Sequence, residues 1–100
     1  MRKSSEFGRF TINTATIYHD LQSDDPLACM YAIKYCALNM INDINIIKAI
    51  VELKKSSLVE WNSCKVSDCA IAALHIMGVE TYTGSDSQIT EMINTRFYTI

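Results

Sequence analysis

Histidine, cysteine and acidic side chains are the groups of this chain that could carry acid–base or nucleophilic chemistry. If Asp68 and His75 share a helix, they stand two turns apart, which is roughly 10 Å at a rise of 1.5 Å per residue. That distance is too long for the hydrogen bond by which a carboxylate orients a catalytic histidine base. The run YHD, Tyr18 to Asp20, is consecutive, and consecutive helical residues do not point at one place. No glycine-rich phosphate loop, serine elbow or paired-carboxylate motif is present. We therefore expect no catalytic residues, no cofactor and no enzymatic activity.

The cysteines lie within or at the edges of apolar helical patterns, where a reduced cysteine behaves as a small hydrophobic residue. Zinc sites use tight pairs such as C-x-x-C, whereas the spacings here are seven and five residues. The start MRKSSEFGRF lacks the apolar core of a secretory signal. We predict structural thiols, no metal and a reducing, cytoplasmic location. The alternative is a nucleophilic Cys29 or Cys69 paired with a histidine. The four cysteines are Cys29, Cys36, Cys64 and Cys69.

Charge is unevenly distributed along the chain. The formal net charge is −2, yet Arg2, Lys3 and Arg9 fall within the first nine positions beside a single acid. The remaining residues include six basic and ten acidic ones. We predict a flexible basic arm over residues 1–9 and a single domain over residues 10–100, since 100 residues cannot build a second core. Because nucleic-acid binding needs clustered Lys and Arg, the acidic domain favours a basic protein partner over nucleic acid.

Apolar periodicity and capping residues predict helices along most of the chain. Asp24 or Asp25 followed by Pro26 begins a helix that runs to Ile41, apolar nearly all round and therefore predicted to be central. It is too short for a membrane span, which needs about 20 apolar residues. Asp43 caps a second, amphipathic helix, which ends in two lysines that suit the helix dipole.

Two further helices are predicted towards the end of the chain and one at its front. Val66 begins a helix that stops at Gly78, a residue free to adopt the left-handed C-cap conformation. The last helix begins at a cap within residues 85–87 and continues its apolar row to Phe97. Residues 12–21 are predicted to be helical, with a lone hairpin as the alternative for residues 10–22.

The same layout of two helices occurs twice, and paired helices that repeat build helical solenoids. The run NIIKAIVELKKSSLVEWNSCKVSDCAIAALHIMG, with Val66, Asp68, Ala70 and Ala73-Leu74 before the glycine, resembles the HEAT-repeat family. The resemblance covers residues 44–97 and departs from the family in the long GVETYTGSDS connection. It implies stacked antiparallel helix pairs with an exposed face that binds a protein. The residues alone favour equally a compact bundle of about four or five helices.

These observations predict an all-α fold, either a small bundle or a short HEAT-like stack of about four to five antiparallel helices. The function predicted is that of a small non-catalytic protein-binding module, an inhibitor or immunity-type protein that blocks a basic partner such as a nuclease or toxin. An apolar fraction of 49% also favours a homodimer. Exposed acids and aromatics in loops and at helix starts are the predicted partner-binding residues: Asp24, Asp25, Glu60, Trp61, Glu80, Tyr82 and Asp86.

The alternative function is that of a phage-type DNA-binding regulator with a helix-turn-helix. The run SDCAIAALHIMGVETYTGSDSQITEMINTRF would supply its two helices. The turn from Gly78 to Ser85 is longer than the tight motif allows, and Arg96 is the single arginine of the second helix. Both features favour the protein-binding interpretation.

Overall fold

The computed structural model describes residues 14–59 and 65–97. Within these ranges the chain is helical, and an isolated antiparallel bridge joins Val59 to Lys65. The all-α prediction is confirmed, and none of the described helices is both long and apolar enough to cross a membrane. The five helices are α1 (Thr14–Leu21), α2 (Pro26–Leu38), α3 (Ile44–Leu53), α4 (Val66–Ile76) and α5 (Ser87–Thr95).

Aspartates cap three of these helices. Asp25, Asp43 and Asp86 have extended backbones, and their carboxylates accept N–H groups of the first helical turn at 2.9 to 3.2 Å. Each cap accepts hydrogen bonds from backbone N–H groups that otherwise have no partner at a helix start. Such a cap contributes about 0.5–2 kcal/mol to the free energy of unfolding. The structure therefore selects Asp25 over Asp24, and Asp86 over its serine neighbours, among the predicted caps.

The end of α4 confirms the predicted glycine stop. Gly78 has a φ of +76°. Its N–H donates to the His75 carbonyl at 3.1 Å, and the N–H of Val79 donates to the Leu74 carbonyl at 2.9 Å. These two bonds form the Schellman motif, which requires a left-handed residue and so favours glycine.

The end of α2 uses the same motif without a glycine. Met40 N–H donates to the Ala37 carbonyl at 3.4 Å, and Ile41 N–H donates to the Cys36 carbonyl at 3.1 Å. Met40 has a φ of +50°, a conformation in which its Cβ crowds the backbone. The left-handed backbone at Met40 is therefore strained, and the hydrogen bonds of the cap offset the strain.

Helix α4 is the centre of the bundle. It packs against α2, α3 and α5, whereas α1 packs against α2 and α3. Its small side chains Cys69, Ala70, Ala72 and Ala73 are all fully buried. The prediction that α2 is central was wrong: helices approach most closely where side chains are small, and α2 carries bulkier residues.

The packing pattern is that of a small bundle. Helices α1, α2, α4 and α3 contact one another in that cyclic order, and α5 is added on α4. In a stack of helix pairs α2 would pack directly on α3, but this pair is not among the closely packed ones of the described residues. Instead, α1 and α4 each pack against both α2 and α3.

The apolar rows predicted for α3, α4 and α5 do form the core. Ile46, Ile50, Ile89, Met92 and Phe97 are buried, and within the described ranges no polar or charged residue is buried. At the front, the helical prediction is confirmed from Thr14 onwards. Residues 10–13 and the predicted basic arm lie outside the described residues.

Replacing Met40 with glycine is predicted to stabilise the protein by about 1 kcal/mol, because glycine relieves the strain of the left-handed backbone. The expected rise in melting temperature is roughly 4–8 °C, measured by circular dichroism. The matched control is Met40→Ala, which removes the same side chain but keeps the Cβ and so is expected to give no such rise. Equal melting temperatures for the two variants would contradict the assignment of strain.

Candidate functional site

Three acidic residues lie around the short link from α1 to α2, and we call Asp20, Asp24 and Asp25 the acidic corner. Asp20 lies in the last turn of α1, and Asp25 caps α2 after a short link. All three acids act on the thiol of Cys29. Burial raises the pKa of this thiol, and the negative charges of Asp25, Asp20 and Asp24 raise it further. The thiol donates to the Ser23 carbonyl at 3.2 Å, which ties the link to α2.

Little positive charge balances the acidic corner. His19 Nδ1 lies 3.8 Å from the Asp20 carboxylate. Across residues 14–59 and 65–97, no lysine or arginine lies within ion-pair distance of the three acids. Asp24 and Asp25 are exposed to solvent. The acidic corner therefore presents a negative field that attracts cationic groups in solution.

The outer face of α2 adjoins the acidic corner and is largely apolar, with Lys34 between Tyr31 and Leu38 on the same side. Leu27, Tyr31 and Leu38 share one side of the helix, and their exposed fractions are 41%, 53% and 40%. The expectation that α2 is covered on several sides was wrong for this face, because only α1 and α4 pack closely against the helix among the described elements. An exposed tyrosine on a rigid helix beside negative charge is typical of a protein-binding surface.

The predicted partner-binding residues after α4 have structural partners. Glu80 forms an ion pair with Lys54, with Nζ and Oε1 2.6 Å apart. Tyr82 donates its backbone N–H to His75 Nδ1 at 2.9 Å, and its hydroxyl accepts the backbone N–H of Asp86 at 2.8 Å. Because Asp86 also caps α5, these three residues hold the connection between α4 and α5 in place.

This connection, residues 77–86, returns towards the start of α4. Burial raises the pKa of Asp68 in the first turn of α4, and the nearby charge of Asp86 raises it further. A Cβ at Gly84 would collide with the ring and hydroxyl of Tyr82, so any larger residue there would require the Tyr82 side chain to move. The connection is therefore a fixed element of the fold.

The predicted site residues thus divide into separate groups. Asp24 and Asp25 belong to the acidic corner, whereas Glu80, Tyr82 and Asp86 belong to the connection after α4. Glu60 and Trp61 lie outside the described residues. Sequence reasoning missed Asp20, Leu27 and Tyr31. The apolar face of α2 was visible in the sequence, but its periodicity was assigned to the core.

Cavities also lie elsewhere on the surface of the described residues. An open groove of about 750 Å³ between α1 and α3 has charges of both signs in its lining, from Asp43, Lys48 and Glu52. A smaller pocket of about 370 Å³ is lined by Met40, Met77 and four neighbours. In the described parts of the chain no three His, Cys, Asp or Glu side chains are grouped to hold a metal ion.

The described cysteines are buried in the core. Burial raises the pKa of Cys36 to about 11, so its nucleophilic thiolate is scarce at neutral pH. Cys69 Sγ lies 3.7 Å from Met92 Sδ inside the core. Buried thiols of raised pKa pack as hydrophobic groups, which supports the structural interpretation of Cys29 and Cys36.

The thiol of Cys36 is predicted to resist alkylation by iodoacetamide in the native protein at pH 8. With a pKa of about 11, only roughly one thiol in a thousand is ionised, and burial also blocks access. Mass spectrometry of the peptide that contains Cys36 measures the rate of alkylation, and the urea-unfolded chain is the control. Equal rates in the native and unfolded chains would contradict the prediction.

A scan against protein-family models, a search of curated proteins and a search of solved structures each gave no match to this chain. No family model therefore supports the resemblance to HEAT repeats. The functional argument rests on the geometry of the acidic corner and of the outer face of α2.

Proposed function

We propose that this protein is a small non-catalytic binding module that docks a basic protein partner. The observation that carries the proposal is the acidic corner, three carboxylates without a paired lysine or arginine among the described residues, next to exposed apolar side chains of α2. Charge on this corner steers a basic partner into contact, and the apolar face supplies area that is removed from water on binding.

The rigidity of α2 supports this role. Asp25 fixes the start of the helix, and the inner face of α2 packs on α1 and α4. Leu27 and Tyr31 therefore lie on a backbone that is ordered before binding, which lowers the entropy cost of association. Tyrosine is enriched among the residues that contribute most to binding energy.

The partner class that we propose is a basic nuclease or toxin, which the protein inhibits in the manner of an immunity protein. Enzymes that act on nucleic acids bind phosphates with Lys and Arg. A cluster of carboxylates competes for the same cationic groups, so binding would block access of the substrate. A cytoplasmic location is part of the proposal, and the buried thiols Cys29 and Cys36 support it because cytoplasmic proteins keep cysteine reduced.

The experiment begins with capture of a partner from native-cell extract on the immobilised protein at low salt. The captured partner is then identified, purified and titrated at several salt concentrations. Neutralising the corner with Asp20→Asn, Asp24→Asn and Asp25→Asn is predicted to weaken binding about tenfold or more and to flatten its salt dependence. Asparagine still caps a helix, so α2 is expected to keep its start.

The matched control neutralises the same number of acids elsewhere, with Asp43→Asn, Glu52→Gln and Glu91→Gln, and is expected to leave affinity nearly unchanged. Equal losses of affinity in the two triple variants would overturn the proposal, because the net charge of the protein, and not the acidic corner, would then explain binding. Submicromolar binding of duplex DNA near physiological salt, lost when residues 1–9 are removed, would support the DNA-binding alternative instead.

A further inference from the structure

The connection from α4 to α5 is attached to α4 through the ring of a histidine. The backbone N–H of Tyr82 donates to Nδ1 of His75 at 2.9 Å, and this bond is partly buried. A ring nitrogen accepts a hydrogen bond only while it carries no proton, and a protonated imidazole has N–H groups at both nitrogens. We propose that this bond is a pH-sensitive latch: protonation of His75 releases Tyr82 and the residues beside it from α4.

Two other contacts limit the segment that the latch controls. Before it, the carboxylate of Glu80 forms the ion pair with Lys54, with a separation of 2.6 Å. After it, Asp86 caps α5. Neither contact involves a histidine. The segment that becomes free on protonation is therefore residues 81–85, and the helices on both sides of it stay in place.

Histidine is the side-chain type whose charge ordinarily changes between about pH 5 and 8. The attached connection binds no proton at Nδ1 of His75, and the released connection can bind one. The attached form is therefore favoured at high pH and is lost as the pH falls through the histidine range. The other histidine of the chain, His19, lies on α1, which packs against α2 and α3.

The other charged groups around α4 belong to different side-chain types. Within the helices packed against α4 they are Lys34 of α2, Lys48 and Glu52 of α3, and Glu91 of α5. Beside the connection itself they are Lys54, Asp68, Glu80 and Asp86. Carboxylates ordinarily take up protons below this range and lysines lose theirs above it. Histidine protonation is therefore the titration that detaches the connection between pH 8 and 5.

Asp68 acts in the opposite direction. Burial raises the pKa of Asp68, and the charge of Asp86 raises it further, so Asp68 takes up a proton at a higher pH than an ordinary aspartate does. Its protonation removes the repulsion between the two carboxylates, which favours the attached connection. Release in acid therefore cannot come from Asp68.

Release of the latch would expose apolar surface on α4. Tyr82 and Ile71 are both partly buried against the core, and both line a pocket of about 290 Å³. When Tyr82 leaves α4, this pocket loses one wall and Ile71 gains contact with water. Acid thus uncovers an apolar patch that is covered at neutral pH. The acidic corner lies on other elements, so this inference does not depend on the proposed function.

The test is amide hydrogen exchange of the full chain, measured by NMR between pH 8 and 5 without any partner. After correction for the intrinsic pH dependence of exchange, protection of the Tyr82 amide is expected to fall about tenfold or more, because this N–H loses its acceptor. The midpoint of the fall is expected to match that of the ring-proton shifts of His75. The amides of Ala72 and Leu74 in α4 are expected to stay protected.

The variant His75→Asn separates the latch from other effects of acid. The side-chain oxygen of asparagine takes a position close to that of Nδ1 and can accept the same N–H, but it does not titrate. Protection of the Tyr82 amide is therefore expected to be equal at pH 8 and 5 in this variant. The matched control His19→Asn removes the other histidine and should keep the wild-type pH dependence. Asp68→Asn should also keep it.

A Tyr82 amide that stays equally protected at pH 5 in the wild type would overturn the latch, as would the same loss of protection in His75→Asn. Loss of protection at Ala72 and Leu74 with the same midpoint would also contradict it, because acid would then unfold the whole chain. If His75→Asn does not fold, the wild type decides: a midpoint that differs from that of the His75 ring refutes the proposal.

Discussion

Close packing on the small side chains of α4 is the interaction on which the rest of the structure depends. Alanines at positions 70, 72 and 73, together with Cys69, let α2, α3 and α5 approach one helix from different sides. A short chain buries little apolar area, so it needs this dense contact to offset the entropy lost on folding. The position of α2 at the edge of the bundle follows from that arrangement.

The proposed binding surface is a consequence of how α2 is held. Its inner face is used against α1 and α4, and its outer face keeps Leu27 and Tyr31 in contact with water. The short link from α1 to α2 then keeps Asp20, Asp24 and Asp25 close enough to Cys29 for all three charges to raise its pKa, which gives the negative field next to that face. Binding to a second protein surface would remove the exposed apolar side chains from water, which is a reason for such a face to be retained.

Features that depend on residues close together in the chain could be predicted from the sequence. The caps at Asp25 and Asp43, the stop at Gly78 and the apolar row of α5 follow from local hydrogen bonding and periodicity. The central helix was predicted wrongly, because apolar content does not reveal which helix has side chains small enough to be approached from several sides. The acidic corner was only partly predicted, since Asp20 was considered only with Tyr18 and His19 as a possible catalytic group. The left-handed backbone at Met40 had no signal, because glycine or asparagine is expected there.

Native-state hydrogen exchange of α4 tests most directly whether that helix holds the bundle together. The amides of Ala70 to Leu74 are predicted to exchange only when the whole chain unfolds, with a free energy equal to that of global unfolding measured with denaturant. Amides of α5 and α1, at the periphery, are predicted to exchange through smaller openings. Exchange of the α4 amides through an opening of much lower free energy, while α2 and α3 stay protected, would contradict this account.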